Sequence, residues 1–392
     1  MEQKYRILIV HNRYQIPGGE DTVVKNEMTM LRKHGHDVFL YERNNSELNE
    51  FNVIQKLKLP FQTIYSNSVK HEIQQIIKEK HIDIVHVHNT FLLISFSVYD
   101  GALELNVPVV QTIHNFRFIC PNGLLYRNGQ VCEECIEKGI NHSLKYGCYR
   151  NSKAQNLIVV QALNRMLHSG VLKKLNLICL TSFSKDKLLT DESVRQAKIF
   201  VKPNYVPKVQ NLLPYSERKN QIVFCGRLDQ IKGIQFVLSV WNKLGKDAPK
   251  LIICGDGPLK EECSSFIDEY LGKKAKLIGQ VDHETVIQYL KESKGMIFAS
   301  KVYENFPMSI AESLSCGTPV IAPDFGNAGA MIEEDKTGFH YEKESADSCI
   351  EAIKSLLSKS DYDIKAMSQM YSEEENYKML MDIYSAAEKG IK

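Results

Sequence analysis

At 392 residues, with 43% hydrophobic and 24% charged side chains, the chain has the composition of a soluble globular protein. It is longer than one hydrophobic core usually organises, so two domains are expected. The formal net charge of +2 hides an asymmetry, with +6 over residues 1–200 and −4 over 201–392, and no run reaches the roughly 18 apolar residues of a spanning helix.

The opening "MEQKYRILIVHN" enters a strand almost at once, without a signal peptide's apolar core or cleavage site, which predicts a cytoplasmic protein. After "RILIV" comes "HNRYQIPGGED", where Pro17, Gly18 and Gly19 make a flexible turn before a helix. "DVFLY", "DIVHVH" and "VPVVQTI" read as the next strands. His86 to Asn89 end one of them, at the edge where an acceptor pocket is expected, and "QTIHNFR" sets His114 at the end of the next. A segment with four cysteines follows. Cys120, Cys132, Cys135 and Cys148 are spaced C-x11-C-x2-C-x12-C, which suits a structural zinc; a redox pair or four unrelated thiols are the other readings. The remaining six cysteines, scattered through apolar runs, are expected to be reduced core residues. From Lys138 to Lys185 there are eight Lys or Arg and no Asp or Glu. A helix from about Ala154 to Leu172 carries Arg165 and His168, with Lys173 and Lys174 at its end. That pattern fits either attraction to anionic lipid or an ordinary helix packed on the sheet. Sparse aromatic interleaving argues against nucleic acid. "LNLICLTS" and "KIFVKPN" complete the first series of strands.

The proline-rich "PNYVPKVQNLLPYSERKN" reads as a hinge. A second series follows in "QIVFCG", "KLIICGDG", "AKLIGQV", "GMIFAS" and "TPVIAP". Apolar strands separated by helices predict two parallel, doubly wound α/β sheets, whose ligands collect at the carboxyl ends of the strands. In "GRLDQIKG", Gly226 to Gly233, the cations Arg227 and Lys232 are suited to a diphosphate. Gly255, in "GDGP", permits close approach of a flat ligand. In "YENFPMSIAESLSCGTPVIA", Pro307 suits a first helical turn. The amides of about Phe306 to Ser309 then form an anion site, with Glu304 and Glu312 placed for sugar hydroxyls.

The order "GRLDQIKG", "GDGP", then Glu304-x7-Glu312 within "NFPMSIAESLSCGTPVIA" closely resembles the C-terminal half of the family 4 retaining glycosyltransferases of the GT-B fold. The likeness extends to nearly the whole chain. It implies that Arg227 and Lys232 bind the diphosphate of a sugar nucleotide, that Glu312 binds its ribose and that Glu304 binds the transferred sugar. It implies that Asn305, Phe306, Pro307, Met308 and Ser309 cap the β-phosphate, with Gly226 and Gly255 lining the donor and Gly18 and Gly19 closing over it. His114 would contact the donor sugar at the reacting centre, while Asn115 stands where an aspartate is often found. No catalytic metal is implied, since cations and a helix dipole stabilise the leaving group.

The resulting expectation is a GT-B protein with an acceptor domain (1–203, cysteine-bearing insertion about 116–150), a linker (204–220), a donor domain (221–371) and a returning C-terminal helix (372–392). Its predicted activity is transfer of a hexose-type sugar from a nucleotide-diphosphate donor to a hydroxyl of a lipid-linked or growing glycan, at or near an anionic membrane surface. His114, Glu304, Arg227 and Lys232 are the expected catalytic residues. A GT-B epimerase and a catalytically silent sugar-nucleotide or glycan-binding subunit are the alternatives.

Overall fold

A computed structural model describes residues 3–15 and 18–390. The chain divides into two compact units. One comprises residues up to 127, 132–204 and those from 374 onward; the other comprises 128–131 and 205–373.

The first unit begins with β1 (Arg6–Arg13), α1 (Gly19–Lys33) and β2 (Asp37–Asn44), followed by α2 (Val53–Ile64), α3 (Asn67–Lys80) and β3 (Ile84–Asn89). Then come α4 (Ser97–Leu103) and β4 (Val109–Ile113). The segment after β4 holds short pieces: the hairpin β5 (Tyr126–Arg127) and β6 (Gln130–Val131), the single turn α5 (Glu134–Lys138) and a 3-10 helix (Ile140–Lys145). Regular structure resumes with α6 (Lys153–His168), β7 (Leu175–Cys179), α7 (Ser182–Leu188) and β8 (Lys198–Val201). The six-stranded parallel sheet runs β2-β1-β3-β4-β7-β8. β3, β4 and β7 are buried along their whole length, as expected of apolar runs covered on both faces. Strand order reverses between β1 and β3, and a ligand crevice forms at such a switch point, outside the carboxyl ends of the strands.

The second unit starts with β9 (Lys219–Cys225), α8 (Ile234–Leu244), β10 (Lys250–Cys254), α9 (Lys260–Phe266) and β11 (Ala275–Gly279). It continues through α10 (His283–Glu292), β12 (Ser293–Ile297), α11 (Met308–Ser315), β13 (Val320–Pro323) and α12 (Gly326–Ala330). β14 (Gly338–Tyr341), α13 (Ala346–Ser358) and α14 (Ile364–Gln369) complete it. The parallel sheet order is β11-β10-β9-β12-β13-β14, reversing between β9 and β12. Ile222, Phe224, Leu251, Ile253 and Ile297 of the sheet pack against Val237, Trp241, Ile353 and Leu356 of the helices, and Trp241 Nε1–H donates to Pro249 O at 2.8 Å.

The last helix, α15 (Glu373–Lys389), is built into the first unit. Tyr377 Oη lies 2.9 Å from His36 Nε2 and Tyr384 Oη lies 2.8 Å from His86 Nδ1. No helix among the described residues is long and apolar enough to cross a membrane.

Candidate functional site

In the second unit, the loops after β9 and β12 emerge at the switch point and are pressed together by glycines. Gly233 has φ +74°, and a Cβ there would sit 2.1 Å from Ala299 O, just beyond β12. A Cβ on Gly255 would sit 1.9 Å from Gly226 O. Only glycine allows these backbones to approach so closely, which locks the Gly226–Gly233 loop in place.

Within that loop Asp229 does the arranging. One carboxylate oxygen accepts from Arg227 Nε, and the other accepts from the Lys232 backbone N–H at 2.8 Å. The Arg227 side chain remains 59% exposed, so its fork is presented outward. Lys232 Nζ donates to Glu304 Oε1, which also accepts from Ser300 Oγ at 2.9 Å. Asn327 Nδ2 holds the Glu304 backbone carbonyl at 2.6 Å. Lys232 and Glu304 are thus joined into a half-buried ion pair between two loops. Glu312 has a different partner, with Oε1 3.1 Å from His283 Nε2 at the start of α10. The bond to Glu312 raises the His283 pKa. Pro307 is the N-cap of α11 and not part of its first turn; Met308 is the first helical residue, and no side chain caps the helix. Asn305, Phe306 and Pro307 are buried, and Phe306 meets the Tyr371 ring edge-on at 5.4 Å. Asp229, Ser300, His283 and Asn327 were not anticipated from sequence.

In the first unit, the carboxyl ends of β1, β3 and β4 carry a stack of histidines. His11 pairs with Asn89 where Val10 pairs with Val87, so His88 is the extra residue of a bulge that re-aims this end of β3. The rings of His86 and His88 stack at 4.5 Å, and those of His88 and His114 at 5.2 Å. His114 Nε2 lies 2.9 Å from His88 Nδ1. Behind them is Glu27 of α1, fully buried. Its Oε1 is 3.0 Å from His86 Nδ1 and 3.2 Å from His88 Nε2, close enough for ion pairing although off the hydrogen-bond direction. Its Oε2 is 3.3 Å from the buried Lys202 Nζ, which also donates to Asn376 Oδ1 at 3.0 Å. Burial by itself would raise the Glu27 pKa. Its closeness to His86 and Lys202 overturns that and holds it well below the usual carboxylate range.

The histidines are pushed the other way. Burial lowers His88 to about 4, and burial with the neighbouring His88 and His11 holds His114 well below its ordinary value. His114 keeps some accessible surface, yet its ring is enclosed and neutral near pH 7. His88, Asn89 and His114 line a cavity of about 30 Å³, room for a water molecule or two. His86 is fully buried, with Nε2 2.8 Å from Thr112 Oγ1, which corrects the expectation that it faces an acceptor. The donor atoms of Glu27, His86 and His88 all lie within 4.8 Å of one another. Lys202 already neutralises the carboxylate, and a buried dication beside that ammonium is unfavourable, so this is an ion-pair network and not a metal centre. Gly18 is the N-cap of α1, and its N–H donates to Asp21 Oδ2 at 2.9 Å; Gly18 and Gly19 are exposed, while Pro17 lies outside the described residues.

The four clustered cysteines are free thiols and electrostatic neighbours: burial first, then Cys120, Cys148 and Cys132, pushes Cys135 up to about 12. Among the described residues their sulfurs are not drawn together into one close set. Four Zn–S bonds of ~2.3 Å would bring the sulfurs within about 4 Å of each other. The ligand atoms that do gather within 4.8 Å of one another are those of Glu27, His86 and His88. Cys120 Sγ instead donates to Asn122 Oδ1 at 2.9 Å. The apolar face of α6 is likewise occupied, since Val159, Val160, Leu163, Met166 and Leu167 are buried and Arg165 stacks 4.1 Å over the Tyr65 ring. A cavity of about 810 Å³ in the second unit lies between residues 333–337 and 359–370 and contains no expected site residue.

The family description "Glycosyltransferase Family 4" matches residues 17–208, and "Glycosyl transferases group 1" matches residues 208–376. The chain belongs to the family 4 glycosyltransferases of the GT-B fold. This glycosyltransferase is 23% identical to an alpha-monoglucosyldiacylglycerol synthase of Streptococcus pneumoniae, over 86% of the present chain and 75% of that protein. It is 24% identical to the amylovoran biosynthesis glycosyltransferase AmsD of Erwinia amylovora, over 84% of each. Its fold matches a crystal structure of a glycosyltransferase from Rickettsia africae with a TM-score of 0.70, 20% identity and 98% coverage of both chains.

Proposed function

We propose that this glycosyltransferase transfers a hexosyl group, with retention, from a nucleotide-diphosphate sugar to a hydroxyl of a lipid-linked or growing glycan. The observation that carries the reading is the gathering of Arg227, Lys232 and Glu304 on two loops at the switch point of the second unit, locked by Asp229, Gly233 and Gly255. The relatives named above, a glycolipid synthase and a polysaccharide-assembly enzyme, support the acceptor class.

The roles follow from charge and geometry. Arg227 and Lys232 neutralise the diphosphate, joined by the backbone amides at the start of α11. Glu304 releases Lys232 to the phosphate and accepts from sugar hydroxyls, and Glu312 accepts from the ribose. The bond from the anomeric carbon to the diphosphate oxygen breaks as the acceptor oxygen bonds on the same face. The acceptor's proton passes to the departing phosphate. Two cations and a helix end meet the developing charge, so no step calls for a divalent ion.

His114 acts on the sugar through one nitrogen. An ionised Glu27 beside His88 Nε2 favours a proton there, so His88 Nδ1 accepts from His114 Nε2–H. The lone pair of His114 Nδ1 is then available to a sugar hydroxyl. Glu27 and His88 are positioning residues in this scheme.

A panel of sugar nucleotides tests the proposal. The true donor, at about a hundred times its Kd, should raise the melting temperature by roughly 5 °C. Lys232→Ala should lose that shift while melting like the parent without donor. Labelled product should form only with acceptor present. An isomerised donor, or no stabilisation by any sugar nucleotide, would overturn the reading.

A further inference from the structure

Nine large apolar side chains are exposed among the described residues, and the four most exposed all belong to α2: Val53 at 73%, Ile54 at 63%, Leu57 at 69% and Phe61 at 73%. The others lie between 39% and 51% and are scattered. At about 100° per residue, these four fall within an arc of roughly 100°. The helix turns its opposite side inward, where Leu59 is half-buried and Thr63 buried, and it packs beside α6. This is the reverse of a surface helix in a globular core, whose apolar stripe faces inward. A cluster of this kind marks an interaction site.

Charge identifies the occupant. The helix carries Lys56 and Lys58, which flank the apolar arc on either side, and no Asp or Glu. The face of α6 beside it belongs to the acid-free stretch, with Lys153, Arg165 and His168 exposed. At the C-terminal end of α2, Ile64, Phe96, Met166 and Val171 wall a cavity of about 310 Å³ that Arg165 and His168 line together with Asp100, whose carboxylate accepts from Tyr65 Oη at 2.7 Å. A symmetric contact with a second copy would set Lys56 and Lys58 against themselves. A bilayer bearing anionic headgroups satisfies both features, taking the apolar arc into its acyl boundary and pairing the lysines with phosphates.

We propose that α2 is a membrane-docking helix: Val53, Ile54, Leu57 and Phe61 enter an anionic bilayer while Lys56 and Lys58 bind its headgroups. This deepens the proposed function and rests on its lipid-linked acceptor. The acid-free helix α6, whose own apolar face is spent on the fold, contributes charge only.

The test is co-sedimentation with vesicles of phosphatidylcholine, with or without phosphatidylglycerol, at low salt. The intact chain should bind only the mixed vesicles. Leu57→Asp with Phe61→Asp should abolish binding without lowering the melting temperature, since both positions are exposed. Lys56→Gln with Lys58→Gln should weaken it about tenfold or more. Binding by the Leu57/Phe61 variant equal to that of the parent would overturn the proposal. So would a concentration-dependent dimer dispersed by that variant, which would make a second copy the occupant. Donor-induced stabilisation, measured in parallel, separates the two claims. Its absence with vesicle binding intact counts against the donor reading alone and leaves the surface standing.

Discussion

Glu20 shows how much of this site depends on burial. It follows the glycine pair in the first turn of α1, with a side chain only 12% exposed, 3.6 Å from His11 Nδ1. Burial first, then the adjacent Asp21, raises its pKa to about 8, with Arg117 opposing. Its folded value is therefore above its unfolded value near 4.5. The stability this gives is fully present below the unfolded pKa and disappears as pH rises through about 8. Glu20→Gln should melt like the parent at about pH 4 and several degrees higher at about pH 8. A gap that narrows with rising pH would show the sign to be wrong. Nothing in "PGGED" announces this, because an acid at a helix start reads as ordinary dipole pairing. The same limit hid the partners of His114. His114 itself was found from its place after a strand and from the family resemblance, whereas Glu27 and His88 are remote in sequence and meet it only through the sheet.

Loops at strand ends were the most legible elements, because each follows an apolar run that is hard to mistake. "GRLDQIKG" and the stretch from Glu304 to Glu312 were placed correctly after β9 and β12. β14 was missed. Its four residues, Gly338-Phe339-His340-Tyr341, are half polar and too few to show a pattern. The basic-apolar α6 stayed open between two readings, and α2 was not singled out, for a common reason. A helical wheel shows a stripe but not which side the fold covers, and here α6 is covered while α2 is open. At this scale the glycines predict contrasting outcomes. Gly255→Ala drives a Cβ into Gly226 O and should cost about 3 kcal/mol, with loss of donor-induced stabilisation. Gly18→Ala meets nothing within 4 Å and should change stability little. Denaturant melts of the pair, with and without donor, check both.

For the whole molecule, two doubly wound sheets were evident from the alternation of apolar strands and helices. Their strand orders were not, since pairing depends on contacts no local pattern records. α15 ties the end of the first unit back to its earlier strands. Tyr384 is fully buried against His86, and Asn376 completes the shell of Lys202. Tyr384→Ala leaves a cavity and removes the hydroxyl beside His86 Nδ1, and should destabilise the first unit by about 3–5 kcal/mol. Denaturation followed by a probe in each unit should show the first transition move and the second stay. Equal movement of both would mean that α15 steadies the chain generally.

The seat of α15 has a further consequence for biosynthesis. Residues 205–373 form one nearly uninterrupted stretch, whereas the earlier unit lacks a buried helix until the final segment is translated. On the ribosome the later-encoded unit can therefore complete itself first. The histidine stack, though encoded early, is sealed only after Tyr384 has emerged, so a chain halted before that residue would have residues 205–373 in hand and His86 without its tyrosine partner.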